Sequence, residues 1–209
     1  MASTEPRRQP ILEAMIRVVG RRSYQATSVA DVIAEAHASR STFYKYFVDK
    51  RDGFLSAYEL VLERIFDAAA DGADRAEPWP EGARGALAAI VDLFARDPAL
   101  ARTAVVEFAA AGEQARQRHR AALGRLARLL EEERPPSRPC LPPSTALMAV
   151  SGVAGLIADE VRAGRARDLP RFLPELEFAM LVPFVGPRAA AGWEPRAAAQ
   201  LRSPPPSNL

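Results

Sequence analysis

Apolar residues recur along this chain at three- and four-residue steps, and nowhere do they alternate in the two-residue rhythm of a strand. The pattern predicts an all-α protein. Ile11, Met15, Val18 and Val19 mark a first helix, with Pro10 in its opening turn and Gly20 at its end. After the connector Arg21–Ala26, Ser28 caps a second helix, Asp31 completes a capping box, and Val29, Val32, Ile33 and Ala36 form its buried stripe. Only His37 and Ala38 separate it from a third helix, capped by Ser39 and running through Phe47, with Phe43 and Phe47 on one face.

Asp49 caps a long fourth helix to about Asp74, with Phe54, Tyr58, Leu62, Ile65 and Phe66 inward. Further helices are predicted from Glu81 to Arg96, from Pro98 to Phe108 and from Gly112 to Glu133. The proline-rich run Arg134–Pro143 is a loop. Ser144 to about Gly164 is a mostly apolar helix in which Gly152 and Gly155 permit close approach, and Leu169 to Phe184 is the last. The Ala-, Arg- and Pro-rich stretch after Gly186 reads as a disordered tail. Three regions follow: 8–58, 59–186 and the tail 187–209.

Charge changes this picture more than composition does. The net charge is +2, but residues 1–51 hold nine basic residues against five acidic ones, leaving the remainder net acidic. A basic N-terminal quarter suits a polyanion. Both lysines of the chain, Lys45 and Lys50, lie in that quarter. No apolar run reaches the roughly 18 residues of a membrane span, and the first thirty residues lack a signal-peptide pattern, so a cytoplasmic protein without membrane contact is expected. Cys140 is the single cysteine, which excludes an intrachain disulfide and a cysteine-rich zinc site. His119, in a strongly charged helix, reads as a solvated residue.

Two short helices joined by a tight turn, preceded by one helix and followed by a long one, form a helix-turn-helix arrangement. The segments Ala26-Thr27-Ser28-Val29-Ala30-Asp31-Val32-Ile33 and Ala36-His37-Ala38-Ser39-Arg40-Ser41-Thr42-Phe43-Tyr44-Lys45-Tyr46-Phe47, followed by Lys50 and Phe54-Leu55, resemble the N-terminal domain of the TetR repressor family. Ser23, His37 and Ala38 depart from it, standing where the family usually has Gly, Gly and Val. If the turn at His37 requires a positive φ, a non-glycine residue there costs about 1 kcal/mol.

The resemblance implies a dimeric regulator of double-stranded DNA, a repressor released from a palindromic operator by a small-molecule effector. By position, Thr27 and Ser28 would bond a phosphate at the second helix's N-terminus. Arg40 would read guanine, and Ser41 and Thr42 would touch base edges. Tyr44, Lys45, Tyr46 and Lys50 would hold flanking phosphates, and Arg7 and Arg8 would form a loose arm.

The last two helices, too apolar to face water, are the expected homodimer contact. Helices between them and the N-terminal domain would enclose a pocket, with Phe94, Phe108, Met148, Leu156 and Asp159 as candidate lining. The chain contains no nucleophile elbow, P-loop or GxGxxG, and its two isolated histidines and one cysteine form no familiar metal site or dyad. Neither catalysis nor a cofactor is expected. The competing reading is a helical interaction protein that has lost DNA binding.

Overall fold

In the computed structural model, which describes residues 8–74, 79–132 and 141–190, every regular element among those residues is helical. In chain order they are α1 (Arg8–Arg22), α2 (Val29–Glu35), α3 (Arg40–Tyr46), α4 (Lys50–Ala73), α5 (Trp79–Arg96), α6 (Pro98–Val105), α7 (Glu113–Glu132), α8 (Thr145–Arg162) and α9 (Leu173–Ala190). Short 3-10 segments follow α6 at Glu107–Ala111 and precede α9 at Ala166–Phe172. The all-α reading therefore holds. Arg7, Cys140 and residues 191–209 of the expected tail lie outside the described residues.

Helices start where short polar side chains can satisfy their first N–H groups. Ser28 accepts from the Asp31 N–H, and Asp31 accepts in turn from the Ser28 N–H at 2.9 Å, which is the expected capping box. Ser39 accepts from the Thr42 N–H at 3.1 Å, and Asp49 from the Asp52 N–H at 2.8 Å. Asp97 takes the N–H groups of Ala99 and Leu100 just ahead of Pro98. Each such cap contributes about 1 kcal/mol.

Three glycines act differently from the sequence expectation. Gly20 does not end α1, which runs on to Arg22; it is instead where α6 lies against α1, since a Cβ there would stand 2.4 Å from the Ala99 Cα. Gly152 and Gly155 face open space in this chain. The backbone-to-backbone helix contact is Gly72 on Gly85, where α4 meets α5 and a Cβ on Gly72 would meet the Gly85 carbonyl oxygen at 2.2 Å. The last helix also continues beyond Phe184, kinking at Gly186 (φ 76°) and resuming to Ala190. Arg84 of α5 holds that end, donating to the Ala189 and Ala190 carbonyls and pairing with Glu177. Residues 187–190, expected in the tail, are thus the last turn of α9.

Helix α1 is buried on more than the one stripe its periodicity marks, with Leu12, Ala14 and Ile16 as inaccessible as Ile11 and Met15. The reason is that α2, α4 and α6 all pack on it. Thr103 of α6, fully buried, donates to the Ala99 carbonyl and reaches the Ile16 carbonyl of α1. The boundary expected after residue 58 falls inside α4, a continuous helix of 24 residues and so about 36 Å long. One rigid rod therefore serves both the helix-turn-helix and the body built by α5–α9.

Candidate DNA-binding surface and effector cavity

The N-terminal domain is organised around aromatic rings. Phe43 and Phe54 are fully buried and Phe47 nearly so; Phe43 and Phe47 meet at 5.2 Å, Tyr24 and Phe54 at 4.8 Å. With Val32 they fix the angle between α2 and α3, leaving Arg40, Ser41, Tyr44 and Lys45 exposed on the outer face of α3. Thr42 and Tyr46 are half-buried beside them. Ser39 Oγ lies 2.8 Å from the hydroxyls of both Ser41 and Thr42, so the first turn of α3 carries a connected row of hydroxyls.

The turn between α2 and α3 is a Schellman motif. The Ala38 N–H donates to the Ile33 carbonyl at 2.9 Å and the His37 N–H to that of Ala34 at 3.3 Å, with His37 at the left-handed position, φ 50°. The positive φ suspected from the sequence is present, and Ser23, in the place of the family's other glycine, has one too (φ 90°).

Several expected phosphate contacts have internal partners. Thr27 is buried, and its hydroxyl donates to the Ser23 carbonyl at 2.7 Å, which occupies its proton. The Ser28 hydroxyl donates to Asp31 at 2.6 Å within the capping box. Lys50 Nζ donates to the Tyr24 and Thr27 carbonyls at 3.0 and 2.9 Å and lies 4.3 Å from the Tyr24 ring centre. In this conformation Lys50 is a strut for the connector. The basic surface is also narrower than the charge count suggests, because Arg17 and Arg21 pair with Glu35 and Arg22 with Asp31, clamping α2 onto α1. Both carboxylates lie below their usual range, Asp31 chiefly through its bonds from Ser28 and Glu35 chiefly through its bond from Arg17. Arg8, expected in a loose arm, lies 5.5 Å over the Phe47 ring.

The connector is held from the body as well. Buried Glu107, just after α6, accepts the Tyr24 N–H at 2.8 Å and pairs with Arg102 at 2.8 Å. One residue, Tyr24, therefore has its carbonyl on Lys50 of α4 and its N–H on Glu107 of the body. Sequence reading missed Glu107, and no local pattern marks a partner 83 residues away.

In the body, α4–α9 enclose a cavity of about 330 Å³. Its wall is apolar except at Asp74, His119 and Arg125, with Leu62, Phe66, Leu87, Phe94, Leu126 and Met180 typical of the rest. Of the five residues expected to line it, Phe94 does. Phe108 stands behind the wall, stacked on His119 at 3.7 Å. Met148 and Leu156 lie on the opposite, exposed face of α8 with Leu147, at 62%, 50% and 43% accessibility, and Asp159 is exposed and paired with Arg162. The physical reason is that α8 is apolar nearly all round, so its periodicity does not say which face turns inward. Val150, Val153 and Ile157 do.

His119 is the reverse case. Expected in solvent, it lines the cavity, its Nδ1 2.9 Å from the Tyr58 hydroxyl, and burial lowers its pKa from 6.5 to about 4. Burial also pushes the Tyr58 phenol well up. The signal was present, since His119 extends the stripe of Leu123, Leu126 and Leu130 by one turn.

Residues 11–57, the three short helices and the start of α4, match the family model of the bacterial regulatory proteins of the tetR family. Through this segment the chain carries a tetR-family N-terminal domain. Solved structures share the fold of this chain well beyond the matched segment. It is similar to the transcriptional regulator FadR from Bacillus subtilis in complex with stearoyl-CoA, with a TM-score of 0.70 at 18% identity over 85% of this chain and 98% of that one. It is also similar to SmeT, the repressor of the Stenotrophomonas maltophilia multidrug efflux pump SmeDEF, with a TM-score of 0.67 at 17% identity over 87% and 91%. A putative TetR-family regulator from Syntrophomonas wolfei gives 0.66 at 18% over 92% and 99%. No curated protein matches the sequence. Among the described residues, no helix of this chain is long and apolar enough to cross a membrane.

Proposed function

We propose that this chain is a homodimeric transcriptional repressor that grips a palindromic operator and releases it when a small molecule fills the cavity. The observation that carries the reading is the shared rod: α4 starts at Lys50, against the connector that leads into α2, and its later turns, from Leu62 to Ala73, line the cavity. An occupant that shifts α4 shifts the seat of the helix-turn-helix.

In this reading α3 enters the major groove. Arg40 reads a guanine through its O6 and N7, Ser41 and Thr42 meet neighbouring base edges, and Tyr44, Lys45 and Tyr46 hold flanking phosphates. Ser28 offers its end of α2 to a phosphate, while Thr27 and Lys50 hold the connector that aims it. Two copies join through α8 and α9, and on α8 the exposed Leu147, Met148 and Leu156 and bare Gly152 and Gly155 form an apolar surface suited to a second copy. The effector favours a dimer whose two α3 helices no longer match successive grooves, and affinity falls by the ratio of its binding to the two forms. That the FadR structure holds stearoyl-CoA supports an apolar effector for this apolar cavity. The reading places the protein in the cytoplasm and gives it no catalytic step.

Selection from a random DNA library tests the proposal. The full chain is expected to enrich a palindrome whose half-sites lie one or more helical turns apart. A pool that stays random after repeated rounds at 0.15 M salt would favour a helical interaction protein instead.

A further inference from the structure

The cavity has one neutral polar side chain in its wall, and that side chain is positioned by two others. His119 is stacked on Phe108 with the rings 12° from parallel, which fixes its plane, and Nδ1 faces the Tyr58 hydroxyl. The same hydroxyl lies 3.2 Å from the Ala104 carbonyl, in the last turn of α6. A carbonyl can only accept, so both contacts are hydrogen bonds at once only when the single phenolic proton goes to Ala104. Tyr58 Oη is then the acceptor, and His119 Nδ1 carries a proton and donates to it. Burial keeps the ring neutral at physiological pH, and a neutral imidazole with a proton on Nδ1 has a lone pair on Nε2. With Nδ1 turned to Tyr58, Nε2 is the nitrogen left to meet an occupant of the cavity.

The position within the cavity matters as much as the tautomer. The inner stripe of α7 from His119 to Leu130 spans about 16 Å along the helix axis, so the cavity is elongated and His119 stands at its α6 end. There α4 contributes Tyr58, α6 contributes Ala104, and Glu107 lies three residues further on, holding the connector of the N-terminal domain.

Resting on the effector reading above, we infer that His119 is the recognition residue of the cavity and that the effector is an elongated, mostly apolar molecule carrying one uncharged hydrogen-bond donor, a hydroxyl or an amide N–H, at its end. An occupant that ends in a donor satisfies Nε2 and touches the Tyr58–Ala104 link between α4 and α6. An occupant that ends in an acceptor sets two lone pairs against each other in an apolar wall.

The test is competition for a neutral apolar dye, N-phenyl-1-naphthylamine, in the full chain at pH 7.5. Three probes differ only at the end group: 1-decanol, decyl methyl ether and decanoate. The alcohol is expected to displace the dye about tenfold more tightly than the ether or the carboxylate, the difference one well-placed hydrogen bond makes in an apolar site. His119→Phe, which keeps the stacking on Phe108, should bring the alcohol-to-ether ratio close to one. Should that variant misfold, a ¹⁵N spectrum of His37→Asn, which leaves a single histidine, is expected to show an unprotonated Nε2 that shifts with decanol and stays with the ether. Equal binding of the three probes, a ratio that survives in His119→Phe, or a protonated Nε2 would overturn the inference. Failure of the dye to bind, or binding unaltered in the cavity-filling Leu123→Trp, would instead overturn the cavity reading itself.

Discussion

In the N-terminal domain, Ser28, Ser39, Asp49, Thr27 and Lys50 each bond a backbone group nearby, and rings of Phe43, Phe47 and Phe54 fill the space between three short helices. In the body, where α4–α9 meet, a core of residues such as Leu87, Val91, Val153 and Leu181 is interrupted by a cavity of about 330 Å³. Helices of seven residues are unstable alone, so α2 and α3 depend on caps and dense packing. Apart from the eight-residue α6, the helices around the cavity have 18 residues or more and tolerate a void between them. In the functional reading proposed above, a densely packed reader and a more loosely packed receptor are therefore made from the same element type by different use of polar side chains.

Equal deletions in the two regions should break this comparison if it is false. Phe43→Ala, in the filled core, is expected to lower unfolding free energy by about 4 kcal/mol. Phe94→Ala, on the cavity wall, is expected to cost at least about 1 kcal/mol less, because the space it vacates joins one already present. Urea titration of both variants measures the difference, and equal costs would show that the body is as tightly packed as the reader.

The contact between the regions comes next in size. Glu107→Ala strands the Tyr24 N–H and the Arg102 charge, for an expected loss of about 2 kcal/mol, and Glu107→Gln, which keeps an acceptor, should recover about half of it. Hydrogen exchange at the Tyr24 amide should accelerate in both variants.

Lys50 and Lys45 sharpen the picture of the reader. Lys50→Ala removes two bonds to carbonyls and is expected to cost about 1 kcal/mol of stability, whereas exposed Lys45→Ala should stay within about 0.5 kcal/mol of the parent. Of comparable size and opposite sign, His37→Gly relieves the positive φ and should stabilise by up to about 1 kcal/mol, seen as a raised melting temperature.

These residues also show what the sequence made legible. The caps at Ser28, Ser39 and Asp49 and the turn at His37 were readable because each involves partners within five residues, where chain geometry leaves few alternatives. The Lys50 strut and the Glu107 bond were not, since each joins segments brought together only by the packing of α1 against α4 and α6. In α8, apolar residues stand on nearly every face, so its pattern points to Met148 and Leu156 for a cavity that Val150 and Val153 line. His119 was misjudged on the charge of its neighbours when its own position on the Leu123–Leu130 stripe spoke for burial.

The body contributes a pH response. Because the folded-state pKa of His119, about 4, lies below its ordinary 6.5, the unfolded chain binds the proton first. Stability is unaffected by this group above pH 6.5 and falls as the pH drops from 6.5 towards 4. His119→Phe should flatten that part of the pH–stability curve, and an unchanged slope would place the histidine in solvent.

The most direct measurement is the affinity of the full chain for its selected palindrome, read by fluorescence anisotropy against a scrambled duplex at 0.15 M salt, with Arg40→Ala alongside. The account predicts a preference of at least about a thousandfold for the palindrome, and loss of discrimination at one base pair of each half-site in the variant. Equal affinity for both duplexes, or a variant indistinguishable from the parent on every sequence, would contradict it.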